Sequence, residues 1–195
     1  MHCAMTPPRY VAADQLLFIT RRLHRRRFRL RPNRTIRQLV LYLLAVYTER
    51  YGVSLHGAVA MSSHYHLCAT DTRGNYPDFM RSFNSTLARA LNCRHGKRDA
   101  VVSPVNKPHV AIIADAEAAV DRLAYIAANP VADGCVSRGR DWPGARTNPT
   151  DFIHEPVIRR PKFFFAANGS MPKEATLRLT IPNTHEGLTP QDFSQ

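Results

Sequence analysis

The chain has 195 residues, 44% of them hydrophobic, enough to bury one ordinary core and too many for a chain disordered throughout. A formal net charge of +12 and an isoelectric point near 10.2 favour polyanionic partners, with nucleic acid ahead of an anionic membrane. The longest apolar run, Leu39 to Tyr47, is far short of the roughly 20 residues that span a bilayer, and the N-terminus shows no signal-peptide pattern. No membrane partner is therefore expected, and a cytoplasmic, nucleoid-associated location is. Cys3, Cys68, Cys93 and Cys135 are not at zinc-ligand spacing and read as free thiols in a reducing cytosol.

In chain order, residues 1–13 read as a lead-in, 14–149 as one catalytic-sized domain and 150–195 as an appendage. Gln15 to Arg22 is a first predicted strand, and it runs into an acid-free stretch from Arg21 to Arg31. Arg21, Arg22, Arg25, Arg26, Arg27 and Arg29 are candidate phosphate contacts, because guanidinium forks grip phosphate oxygens bidentately. The plain alternative is a solvated basic arm. Thr35 and Gln38 are spaced as a capping box for a helix carrying Ile36, Leu39, Val40, Leu43, Leu44, Tyr47 and Tyr51, with Gly52 as its stop.

Val53 to Met61 and His64 to Asp71 read as a hairpin around Ser62-Ser63. Asn75 then caps a second helix with Phe79, Met80, Phe83, Leu87 and Leu91 on one stripe. Val110 to Ile113 is a fourth strand. Asp115 caps a third helix that is expected to stop at Asn129, ahead of Pro130. The first six elements, β-α-β-β-α-β, predict an α+β, ferredoxin-like antiparallel sheet with helices on one face. The irregular C-terminal appendage holds one plausible strand, Ala175 to Ile181, with Leu177, Leu179 and Ile181 on one side.

His64-Tyr65-His66 carries the sharpest chemical signal. Residues i and i+2 of a strand share a face, so both imidazoles can converge on one metal ion or one phosphate. Most such pairs are structural. About sixty residues on, Tyr125 and Asn129 are four apart and share a helix face. At about 100° per residue, Val120, Leu123 and Ala127 form the expected core face, which turns Tyr125 and Asn129 away from it. A phenol beside two imidazoles and an amide oxygen suggests a tyrosine nucleophile next to a metal site.

The stretch Met61 to Asp71 resembles the His-hydrophobe-His motif of single-tyrosine transposases. Tyr125-Ile126-Ala127-Ala128-Asn129-Pro130-Val131-Ala132-Asp133-Gly134 is similar to the tyrosine helix of the REP-associated branch of that family. The resemblance runs from about Leu16 to Trp142. It implies a ferredoxin-like core and cleavage and rejoining of single-stranded DNA, often at hairpin ends. It also implies a Mg2+ or Mn2+ ion and a covalent 5′-phosphotyrosine. Carried over by motif, His64, His66 and Asn129 are metal ligands and Tyr125 is the nucleophile. Some relatives are dimers. Ser63 stands where the family commonly has Asn, and Tyr65, on the opposite strand face, supplies a second tyrosine.

An active transposase or nickase is one reading, and a domesticated protein that grips hairpin nucleic acid without cutting it is the other. A metal-dependent phosphatase or RNA nuclease would use the histidines but leave Tyr125 and Asn129 without a role.

Overall fold

In the computed structural model, residues 10–102, 107–185, 187, 189 and 191 are described. Cys3, most of the lead-in and most of the last ten residues lie outside them. The chain forms β1 (Gln15–Arg22), α1 (Arg34–Tyr51), β2 (Val53–Ala60), β3 (His64–Asp71), α2 (Tyr76–His95), β4 (His109–Ile112) and α3 (Ala116–Ala132). A short α4 (Asp151–His154) and two small strands, β5 (Val157–Arg159) and β6 (Glu174–Thr176), follow.

The main sheet has the order β2-β3-β1-β4, every neighbouring pair antiparallel, which is the ferredoxin-like arrangement. Side-chain alternation divides it into two faces. Leu17 and Ile19 of β1 and Tyr65, Leu67 and Ala69 of β3 join the core with α1 and α2. Leu16 and Phe18 of β1 and Cys68 of β3 face the other way, into a smaller core with Ala119 and Ile126 of α3 and with Trp142. The two helices of the ferredoxin-like unit share one face, and α3 covers the opposite one.

Local chemistry explains the helix ends. Asn33, not Thr35, caps α1: its Oδ1 accepts from Ile36 N at 3.0 Å. Gln38, the expected capping-box partner, instead donates to the Arg159 carbonyl at 2.8 Å. Gly52 ends α1 in the left-handed region, at φ 62°. Asn75 precedes α2 without a side-chain capping bond. The buried Asp71 carboxylate does that work, accepting from Asn75 N at 3.0 Å and Tyr76 N at 2.7 Å. Asp115 caps α3 through Ala118 N, as its position predicts. The helix does not stop at Asn129. It carries Pro130 inside its last turn and runs to Ala132, with the Asp133 N–H closing onto the Asn129 carbonyl at 3.0 Å.

Two glycines let α3 approach its neighbours. A Cβ on Gly57 of β2 would stand 2.7 Å from Leu123 Cδ2, and one on Gly139 would stand 2.2 Å from the Ala127 carbonyl oxygen. The outer edge of β2 is sealed by irregular chain rather than by another strand. Ala60 N donates to the Ala145 carbonyl, Thr147 N to the Ala58 carbonyl and Thr180 N to the Leu55 carbonyl. The predicted strand over Ala175 to Ile181 is laddered only at its start, where β6 pairs with β5. Ala175, Leu177 and Leu179 are nevertheless buried in the main core, while Ile181 is only partly covered.

Candidate nucleic-acid cleavage site

The β1/β3 register sets Thr20 opposite His66 and Arg22 opposite His64, at the end of the sheet that α3 overlies. His64 and His66 project on the same face with ring centroids 4.9 Å apart, nearly perpendicular. Phe18 stacks on His66 at 5.5 Å. The Tyr125 ring meets His66 edge to face at 5.2 Å and Phe18 at 5.9 Å. Tyr125 is 43% exposed, and Asn129, one turn later, is 3% exposed.

This corrects the helical-wheel expectation. The buried stripe of α3 is Ala119, Ile126, Asn129 and Pro130, with Leu123 partly covered, whereas Val120 and Ala127 are exposed. Asn129 therefore lies on the core-facing stripe, and Tyr125 flanks it over the end of the sheet. The wheel misplaced them because the α3 surface is alanine-rich on several sides, so small apolar residues do not mark the inward direction.

The polar atoms of the cluster are arranged to leave acceptors open. Thr20 Oγ1 and His66 Nδ1 are 2.9 Å apart, and Ser63 Oγ lies 3.2 Å from His64 Nδ1. His66 Nε2 and Asn129 Oδ1 are both buried and without a hydrogen-bond partner. Buried polar atoms are nearly always satisfied, so two orphans in one cluster fit a site whose partner is a bound group. Burial pushes the His66 imidazole down to about 4, with His64 and Arg22 acting in the same direction. Burial also lowers His64, opposed by the Asp133 carboxylate, assisted by Arg22, and opposed again by the adjacent Asn129 amide, which stands short of well-formed hydrogen-bond geometry. Both rings are thus neutral near pH 7, the form that offers a lone pair to a cation. Among the described residues no group of three or more His, Cys, Asp and Glu is gathered for a metal. The donor set here is two imidazoles and an amide oxygen.

Tyr65 is turned to the opposite face. It is buried, donates its hydroxyl to Asn84 Oδ1 at 2.8 Å, and burial drives its pKa up.

Arg22, Arg25 and Arg26 line one cleft of about 780 Å³ together with His66 and Tyr125. Arg21 lines the same cleft but is only 6% exposed. Arg27 and Arg29 are engaged elsewhere: both pair with Asp99, Arg29 Nη2 at 2.6 and 2.7 Å from its two oxygens. The cleft also holds residues that the sequence reading passed over. Arg122 stands one turn before Tyr125 with its guanidinium 5.2 Å from the centre of the Phe18 ring, and Lys107 and His109 border the opening. The i, i+3 spacing of Arg122 and Tyr125 was the available signal.

Fold and cluster together define a ferredoxin-like protein in which His66 and Tyr125 line a basic cleft, with His64 and Asn129 beside them. No family model matches the chain, and no curated protein matches it by sequence. A solved structure of a REP-associated tyrosine transposase bound to a REP hairpin matches with a TM-score of 0.63 and 19% identity, over 84% of this chain and 92% of that one. A crystal structure of a transposase candidate from Deinococcus radiodurans R1 matches with a TM-score of 0.43 and 14% identity, over 67% of this chain and 98% of that one. At 19% identity the likeness to the first is one of fold, the fold that the sequence resemblance implied. No helix among the described residues is long and apolar enough to cross a membrane.

Proposed function

We propose that the chain is a metal-dependent, single-stranded DNA transposase or nickase that cuts and rejoins DNA at hairpin ends through Tyr125. The observation that carries this reading is the meeting of Tyr125 with His66 in an arginine-lined cleft, with His64 packed against His66 and the buried Asn129 beside His64. A half-exposed phenol beside two neutral imidazoles and an orphaned amide oxygen is expensive to maintain for packing alone. The match to a hairpin-bound transposase supports the same substrate class here.

The Tyr125 Oη attacks the scissile phosphorus and loses its proton, a P–O bond to tyrosine forms, and the P–O3′ bond breaks. The 3′ oxygen leaves as a hydroxyl after taking a proton, and the 5′ phosphate stays on the enzyme. Reversal with a new 3′ hydroxyl rejoins the strand without an external energy source. His64, His66 and Asn129 would hold Mg2+ or Mn2+, which when bound supplies positive charge to a non-bridging phosphate oxygen. The neutral ligands leave that charge undiminished. Arg22, Arg25, Arg26 and Arg122 orient the backbone of the bound strand.

The test is covalent trapping of labelled hairpin DNA with Mg2+ or Mn2+, run on a denaturing gel. A metal-dependent shifted band that Tyr125→Phe eliminates, with DNA binding near the parent's, is the expected result. An adduct that survives Tyr125→Phe would refute the assignment of the nucleophile. Tight hairpin binding with no adduct in the parent would identify a non-cleaving hairpin-binding protein instead.

A further inference from the structure

A second basic cleft lies on the other side of the molecule's helical layer, built where the C-terminal segment crosses α1 and α2. Its volume is about 730 Å³, and no residue lining it lines the cleft at Tyr125. Arg94 from the end of α2 and Arg159, Arg160, Lys162 and Lys173 from the C-terminal segment surround it, and its lining includes no carboxylate. Glu174 stands opposite Arg159 in the β5–β6 ladder, yet no ion pair engages any of these five cations among the described residues. Arg94, Arg159, Lys162 and Lys173 are exposed.

Aromatic surface is interleaved with this charge. Phe163 and Phe165 line the cleft half-buried, with the Arg94 guanidinium 5.8 Å from the centre of the Phe163 ring. The wall is fastened down, not loose. Arg160 donates to the Met171 and Ala167 carbonyls at 2.7 and 3.2 Å. Gln38 holds the Arg159 carbonyl, and the Tyr42 hydroxyl donates to the Pro172 carbonyl at 2.6 Å. Unpaired cations beside half-exposed phenyl rings on a rigid wall are what a flexible polyanion with stackable bases requires.

The two clefts are linked along the chain. Arg26 lines one and Thr35 the other, so their backbones lie at most about 30 Å apart. The intervening Arg29 carbonyl lies 3.5 Å from Nε2 of His95, beside Arg94. We propose that this cleft is a second nucleic-acid site, which holds the single-stranded DNA flanking the hairpin while the hairpin end occupies the cleft at Tyr125. The assignment of the flank rests on the function proposed above.

The experiment compares the parent with the triple variant Arg159→Gln, Lys162→Gln, Lys173→Gln, with unchanged circular dichroism and melting temperature establishing that the variant folds. Fluorescence anisotropy is read on a hairpin with single-stranded flanks of about ten nucleotides and on the same hairpin without flanks. The expected result is a loss of about tenfold or more on the flanked hairpin and a smaller loss on the bare one. The slope of log affinity against log salt falls by about 2 on the flanked DNA, since each neutralised phosphate on a single strand contributes about 0.7. Equal affinity and salt slope for parent and variant on flanked DNA would overturn the proposal, even if the parent forms the Tyr125 adduct. The selective loss without any adduct in the parent would keep this site and remove the cleavage reading instead.

Discussion

On the function proposed above, the contact between Thr20 and His66 sets which nitrogen of His66 is left for a metal. With the Nδ1 proton donated to Thr20 Oγ1, the unshared pair of His66 stays on the orphaned Nε2, where a cation would be met. Without the hydroxyl, the ring can flip or change tautomer and present an N–H to the site. Thr20→Val keeps the shape and removes that control. Manganese affinity by calorimetry and the rate of adduct formation should each fall about 10- to 100-fold, while Thr20→Ser restores both. The leftover unsatisfied Nδ1–H should cost about 1–3 kcal/mol of stability. Manganese binding equal to the parent's in Thr20→Val would remove Thr20 from the site. No pattern in the chain announced this threonine; only the β1/β3 register makes it the partner of His66.

At the scale of elements, the turn between β1 and α1 shows basic sequence overriding backbone preference. Arg25 and Arg26 both have left-handed backbones, at φ 54° and 51°, and the Arg27 N–H closes onto the His24 carbonyl at 3.3 Å. Two consecutive left-handed residues form the primed type of turn, where Asn-Gly is favoured and a side chain such as Arg costs about 1 kcal/mol per position. The turn is held in place by Leu23 and Leu30, both buried, and by the Leu23 and Leu30 N–H groups bonded to Ser63 and Ser62 carbonyls. Strain retained where two arginines enter the cleft suggests that their charge is needed there. Arg25→Asn with Arg26→Gly should therefore raise stability by about 1–2 kcal/mol in urea melts and weaken hairpin binding at least tenfold. A variant that gains stability and still binds as the parent does would take these arginines out of the interface. Strong periodicity made the elements themselves legible: β1 and β3 fall on their predicted bounds, and the α2 stripe from Phe79 to Leu91 is buried throughout. What the sequence concealed were choices between near-equivalent partners. Asn33 won the α1 cap over Thr35, Asp71 reached past Asn75 to cap α2, and Asp99 claimed Arg27 and Arg29 from 72 and 70 residues away. The Tyr125 and Asn129 pairing was visible from spacing, but the inward side of an alanine-rich helix was not.

For the whole molecule, the C-terminal segment is bound to the sheet through a buried histidine, which makes acid stability a test of how the parts cohere. His56, the extra residue at the bulge in β2, places Nδ1 2.6 Å from the Thr180 carbonyl and Nε2 2.8 Å from Thr70 Oγ1. Burial lowers its pKa to about 4, the backbone bond to Thr180 only partly opposing this. In the unfolded chain the ring titrates near its ordinary 6.5. Between these values the unfolded state binds the proton and the folded state resists it, so stability is full above pH 6.5 and declines as the pH falls toward 4. The loss from His56 is on the order of 3 kcal/mol by pH 4, and His66, also depressed to about 4, acts in the same window. Asp99 does not share that window. Desolvation would raise its carboxyl, but Arg29 and Arg27 hold it below the usual carboxylate range, so its contribution is lost only at lower pH. Urea midpoints measured from pH 7.5 to 4.5 should therefore fall steadily below pH 6.5, and His56→Gln should flatten that fall while lowering stability at pH 7.5. Because Leu177 and Leu179 lie in the same core as α1, the transition should remain single at every pH. A separate early transition for the C-terminal segment would show that it folds independently of the sheet. A parent curve flat from pH 6.5 to 4.5 would mean that His56 accepts its proton without leaving the fold.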